Sequence, residues 1–441
     1  MSLINSTAVE LAKRIKKGEI SSEELVKNYI EQIKKKDKEI EAWEFFDPDL
    51  ALTQAKKLDE SHQNGNVHGP LHGIPVGIKD IFDTEDMPTL DGSEAHKKNP
   101  SLDDCTAVSK LKQAGAIIMG KTVTAELAHL TPGKTKNPHD PQRTPGGSSS
   151  GSAAAVAANM IPLAVGTQTN GSVIRPASFC GVIGYKPTKG LISRHLIMQV
   201  SQALDQVGVF SNSIEDAALI SEQLFGYDSL DPDSSLMAKP NLMKSAKEKP
   251  PMEPLIAFPK LSFMDELDKA SVEAFDEVKD ELKEQIKEVK LPDIFANIPK
   301  WHKIIAETDM AKSFQVDYQK YKNLLSDKII EAIERGQKYK ASEYNDALLK
   351  VEQVRDFFKE FFYDYDAILT PSACGEAPKD LKTTGNPIFC TIWTYCGMPS
   401  ISLPLLEGKN KMPIGIQLVS SMFDDERLFR NASWLTSKIK K

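Results

Sequence analysis

Ser152-Ala-Ala-Ala-Val-Ala-Ala-Asn159, followed closely by Pro162-Leu-Ala-Val165, sets the architecture of this chain. Alanine loses no side-chain entropy in a helix, so 152–159 reads as helix. The short apolar run after Pro162 reads as a buried strand. Working outward, Ile74 to Ile78 repeats the strand signal, Thr106 to Ala114 a helix and Ala116 to Met119 another strand. From Gly69 to about Gly208 the chain is rich in Gly, Ala and Ser between such runs. Strands alternating with helices predict an α/β core with helices on both faces.

The flanks differ in texture. Residues 6–61 read as helices, with Ser21-Ser22-Glu23-Glu24 resembling a capping box ahead of Leu25, Ile30 and Ile33. Residues 226–365 are Lys/Glu-rich and helical in pattern, with proline breaks near 249–254 and 292–299. Core character returns at 366–441, where Ala367-Ile-Leu-Thr-Pro371 and Ser400-Ile-Ser-Leu-Pro404 read as strands. Core-like segments on both sides of the helical stretch predict one discontinuous domain over 1–441. Its parts are N-terminal helices (1–62), a core (63–225), a variable helical layer (226–365) and a return to the core (366–441).

The 441 residues carry a formal net charge of −7, which argues against nucleic acid as a partner. Met1 to Lys17 shows no apolar segment with a cleavage site, and no run approaches the ~20 apolar residues of a membrane span. The five cysteines include no C-x-x-C pair, which fits free thiols in a reducing cytoplasm.

Several local matches mislead. Gly115-Ala-Ile-Ile-Met-Gly120-Lys121-Thr122 fits the phosphate-loop pattern letter for letter, yet its middle residues are apolar and read as a strand. Gly147-Ser148-Ser149-Ser150-Gly151 matches a nucleophile elbow centred on Ser149, but neither His195 nor His302 stands in a telling context for a partner. Gly69 and Pro70 forbid a helical metal pair of His68 and His72. Cys180 reads as a small buried hydrophobe.

Three other stretches carry chemistry. In Gly73-Ile-Pro-Val-Gly-Ile-Lys79-Asp80 an apolar strand delivers a lysine into the interior. Burial disfavours the ammonium, so the neutral amine can act as a base; the alternative is a head that reaches water or pairs with Asp80. Pro145-Gly146-Gly147-Ser148-Ser149-Ser150-Gly151 brings serines close on an uncluttered backbone, or simply caps the Ala-rich helix. Gly166-Thr-Gln168-Thr169-Asn170-Gly171-Ser172 turns sharply after a strand. Its amides can converge on an oxyanion, or the segment is an ordinary tight turn. A lysine and two hydroxyls in series can activate serine without histidine.

All three stretches in this order resemble the amidase signature family of serine hydrolases. The likeness is dense from Gly69 to about Asp216, through Gly181-Val-Ile-Gly-Tyr-Lys186-Pro187-Thr188 and Leu204-Asp205-Gln206-Val207-Gly208. It is looser at the N-terminal helices and from Thr384-Gly385-Asn386-Pro387 onward. The resemblance implies the family's fold, a central mixed β-sheet covered by helices on both faces. It implies a triad of Lys79 as base, Ser148 as proton shuttle on a cis peptide, and Ser172 as nucleophile forming an acyl-enzyme. The backbone amides of Thr169, Asn170, Gly171 and Ser172 would bind the oxyanion. Arg175, Gln168 and Gly147 are the candidates for substrate binding, and no metal or cofactor is implied.

The family's common form has Asp at the position of Gln168, Gly at that of Asn170, and arginine two residues past the nucleophile. Here Ser172-Val173-Ile174-Arg175-Pro176 puts it three past, which resembles small amidases of the malonamidase type, where the arginine holds a substrate carboxylate. A structural ion pair is the plainer role for Arg175. The expected function is cleavage of a small amide, with or without a carboxylate, to acid plus ammonia or amine, with a homodimer compatible with the resemblance. The alternatives are a glutaminase-type A subunit of a tRNA-dependent amidotransferase and an inactive scaffold.

Overall fold

The computed structural model describes residues 3–96 and 101–439. Eleven strands form one mixed sheet: β1 (Trp43–Phe46), β2 (Pro75–Lys79), β3 (Ile117–Thr122), β4 (Leu163–Gln168), β5 (Ile183–Lys186), β6 (Gln206–Ser211), β7 (Ile256–Pro259), β8 (Ile286–Val289), β9 (Ala367–Pro371), β10 (Ser400–Glu407) and β11 (Pro413–Val419). Their order across the sheet is β1-β3-β2-β4-β6-β5-β10-β11-β9-β7-β8. β2 lies parallel to both β3 and β4, and β7 to both β8 and β9; the remaining pairs are antiparallel.

Strands β2, β3, β4 and β6 are buried along their whole length, which explains their mostly apolar or small-residue composition, broken by Lys79, Lys121, Gln168 and Gln206. The α/β architecture read from the sequence is therefore the one observed. The Ala-rich helix runs Ser150–Ala157. A Cβ at Gly151 would stand 2.4 Å from the Val123 nitrogen, so only glycine lets the helix start this close to the end of β3. At the N-terminus, Ser21 Oγ accepts the Glu24 N–H and starts the helix Ser22–Ile40, whose Leu25, Ile30 and Ile33 are buried as expected.

Two stretches read as helical also supply strands. Residues 43–46 form β1, which pairs antiparallel with β3, and the 226–365 layer contributes β7 and β8 at the far edge. Each has only four residues, too few for a period-two pattern to outweigh the flanking helices. Otherwise that layer is helical, including Ile298–Ser313, Asp327–Gly336 and Ala341–Asp364.

The phosphate-loop look-alike is the buried strand β3. Lys121 Nζ donates to the carbonyls of Phe82 (2.7 Å) and Pro88 (3.2 Å) and to Thr89 Oγ1 (2.6 Å), and it lies 3.7 Å from Asp80. It is a structural cation holding the loop after β2. No described helix is long and apolar enough to cross a membrane.

Candidate active site

Parallel pairing of β2 and β4 brings their carboxyl ends to one edge, the usual place for a site in such sheets. Ile78 pairs with Val165, so Lys79, one residue on, and Thr167, two residues on, meet just beyond. Lys79 is fully buried, and its Nζ lies 2.8 Å from both Thr167 Oγ1 and Ser148 Oγ. Burial lowers the Lys79 ammonium to about 7, and the nearby Asp205 carboxylate opposes the shift only in part. The lysine thus neither reaches water nor pairs with Asp80, whose partner is Lys121. Such an amine is available uncharged near neutrality to take a proton from the hydroxyl beside it.

Ser148 follows a cis peptide bond from Gly147, and its carbonyl accepts the Ala125 N–H at 3.0 Å. Gly146 has φ +83°, and a Cβ there would meet Pro176 Cα at 2.8 Å, so the turn packs against the start of the helix Ile174–Cys180. Ser149, the centre of the apparent elbow, is fully buried and engages the backbone of Thr167 in both directions (3.2 and 3.3 Å). It holds the loop to β4.

Beyond β4 the chain turns through Thr169, Asn170, Gly171 and Ser172, all of which line a cavity of about 330 Å³. Among the described residues the N–H groups of these four have no protein acceptor. The turn is held from outside. Thr169 Oγ1 donates to Asp205 Oδ1 (2.6 Å), the Thr169 carbonyl accepts from His302 Nε2 (2.9 Å), and Thr394 Oγ1 donates to the Asn170 carbonyl. Thr391 Oγ1 donates to Asn170 Oδ1 at 2.9 Å.

Gln168 lies behind the turn. Its Oε1 accepts the N–H groups of Val173 (2.8 Å) and Ile174 (3.0 Å), and its Nε2 donates to Thr394 Oγ1 (2.9 Å). The carboxamide is thereby committed to the protein, and Gln168 does not line the cavity. Gly147 likewise lies off the cavity wall and offers its carbonyl to Arg175 Nη2 at 2.7 Å.

Arg175 does line the cavity. It is 2% exposed, and Nη2 also donates to Thr384 Oγ1 (3.3 Å), while Nε and Nη1 have no partner. Burial lowers this guanidinium to about 10. The plainer role, a structural ion pair, would require a carboxylate, and Arg175 forms no salt bridge with any described residue. A buried charge without a counter-ion is costly, so the site favours an anion there.

The helical layer supplies one side of the wall, with His302, Lys303, Glu307 and Met310 on one helix and Arg335 on another, and residues 128–130, Val200 and residues 386–388 with Thr391 supply the rest. His302 is buried and held neutral, its imidazole lowered to about 4. Its place here was not legible in the sequence, because no motif surrounds it. Asp205 belonged to a recognisable stretch, but its contact with Thr169 follows only from the antiparallel pairing of β4 with β6.

The family model Amidase matches residues 24–429. The chain belongs to the amidase family. Curated relatives include the A subunit of the glutamyl-tRNA(Gln) amidotransferase of Lachnospira eligens, 34% identical and aligned over 98% of this chain and 97% of the relative. Its namesake from Clostridium novyi is 33% identical, over 97% and 96%. A solved structure described as "An unexpected vestigial protein complex reveals the evolutionary origins of an s-triazine catabolic enzyme" superposes with TM-score 0.91 at 26% identity, over 98% of each chain. The peptide amidase of Stenotrophomonas maltophilia shares the fold, with TM-score 0.85 at 24% identity, over 99% of this chain and 97% of that one. These curated relatives of this amidase-family chain are amidotransferase components, not the malonamidase-type enzymes that the position of Arg175 resembles.

Proposed function

We propose that this amidase hydrolyses a carboxylate-bearing primary amide to acid and ammonia through an acyl-enzyme on Ser172. The observation that carries this reading is the buried Lys79 amine, lowered to about 7 and 2.8 Å from the Ser148 hydroxyl. Neutral Lys79 accepts the Ser148 proton while Ser148 takes that of Ser172, whose oxygen attacks the amide carbon. Charge developing on the carbonyl oxygen meets the unengaged N–H groups of Thr169 to Ser172; one such donor is typically worth about 3 kcal/mol of barrier. The proton returns through Ser148 to the departing nitrogen, ammonia leaves, and water enters by the same relay in reverse. The unpartnered Arg175 nitrogens suit a substrate carboxylate. Gln168 supports the turn from behind, and Gly147 supports Arg175.

The names of the curated relatives favour a glutaminase-type component of an amidotransferase, since glutamine is itself an amide carrying a carboxylate. In that setting the chain would act with protein partners and tRNA. A second reading, a free-standing hydrolase of a small amide, is favoured by Arg175 standing three residues past Ser172 with two unpartnered nitrogens. The test is ammonia release by the purified chain from glutamine and from short dicarboxylic monoamides. Release by the isolated chain supports the free-standing enzyme. Release only with a co-purifying partner protein supports the amidotransferase component. Failure in both settings, with no fluorophosphonate adduct at Ser172, rejects the catalyst.

A further inference from the structure

Of the eight histidines in the chain, His302 is the one that grips the turn before Ser172. It is carried by the helix Ile298–Ser313, 133 residues from Thr169 in sequence, and donates from Nε2 to the Thr169 carbonyl at 2.9 Å. The Thr169 carbonyl and the Asn170 N–H belong to one planar peptide unit and point to opposite sides of it. Holding the carbonyl therefore aims the N–H. Thr394 Oγ1, on the Asn170 carbonyl, does the same for Gly171 N–H. Neither amide has a protein acceptor among the described residues, and both residues line the cavity.

We propose that His302 is a positioning residue that aims the Asn170 N–H at the developing oxyanion by holding the Thr169 carbonyl on the far side of the same peptide plane. This rests on the acyl-enzyme reading above. A carbonyl can only accept, so Nε2 keeps its hydrogen and Nδ1 stays unprotonated. Burial lowers the imidazole to about 4, so the contact persists throughout the neutral range and is not a pH switch. Asp205 holds the Thr169 side chain from the core, whereas His302 holds its backbone from the helical layer.

The experiment compares His302→Gln, His302→Asn and His302→Leu by the rate of fluorophosphonate labelling at Ser172 and by thermal midpoint. Glutamine can place an N–H where Nε2 stands and is expected to stay within about threefold of the parent rate. Asparagine, one methylene shorter, and leucine are expected to slow labelling about 100-fold, the scale of a misplaced catalytic group. Should the leucine variant fail to fold, the glutamine–asparagine pair decides. Parent-like labelling of the asparagine variant, or an equal loss in both carboxamide variants, overturns the proposal. A parent protein that is not labelled at Ser172 overturns the acyl-enzyme reading as well; a labelled parent with an unaffected asparagine variant overturns only the role of His302.

Discussion

Lys79 Nζ stands 2.8 Å from Ser148 Oγ, and no described carboxylate lies within ion-pair distance of that amine. Asp205 acts on it only through space. A full Asp contact would hold the lysine charged and stop it from accepting a proton. Hydroxyls on two sides instead leave burial dominant.

Activity should therefore rise with pH through about 7 as Lys79 loses its proton, then level off. The folded amine titrates below its ordinary value, so the unfolded chain binds the extra proton between about 7 and 10.5, and stability from this group rises with pH across that window. Lys79→Met should be inactive yet about 1–3 kcal/mol more stable at pH 7, the cost of the buried amine exceeding that of its lost hydrogen bonds. Ammonia release and denaturant unfolding at several pH values check both. A rate that peaks in acid and falls above neutrality contradicts Lys79 as the base.

Labelling should distinguish Ser172 from Ser148 and Ser149. Ser172→Ala is expected to abolish fluorophosphonate incorporation, and Ser148→Ala to slow turnover by about 1,000-fold or more. Ser149→Ala should leave the adduct at Ser172 and cost about 1 kcal/mol of stability, through the loss of its backbone contacts to Thr167. Peptide mapping that places the adduct on Ser149 would reverse the assignment.

Arg175→Met should distinguish substrate recognition from scaffolding. The expected result is a loss of about 100-fold in kcat/KM on carboxylate-bearing amides, with neutral amides losing less than about tenfold. Equal losses on both classes would make Arg175 a brace between Gly147 and Thr384 and nothing more.

Lys121→Met should destabilise the chain by about 3 kcal/mol or more, because it strands the buried Asp80 carboxylate and the carbonyls of Phe82 and Pro88. Thermal melts with and without ATP should coincide, in keeping with a strand where the letters spell a phosphate loop.

Much of the core could be read in advance because its signals are local. The alternation of β2, β3 and β4 with helices is written in contiguous runs, and Lys79, Ser148 and Ser172 each sit in a small-residue stretch. Four-residue strands such as β1, β7 and β8 escaped because pairing, not periodicity, makes them strands. Gln168 read as a substrate contact because it neighbours the turn; only the folded chain reveals that its carboxamide points to Val173, Ile174 and Thr394. His302 escaped for the opposite reason, reaching the turn from a helix far along the chain.

The proposed proton relay comes from chain positions before Val173, whereas Lys303, Glu307, Met310 and Arg335 enter the cavity wall from the segment between β8 and β9. The proposed relay and this part of the cavity wall are thus supplied by separate stretches of the chain, while Arg175 lies beside the relay. Exchanging the later stretch between homologous chains should reshape that part of the wall while Lys79, Ser148, Ser172 and Arg175 stay in place, provided a histidine at 302 travels with it.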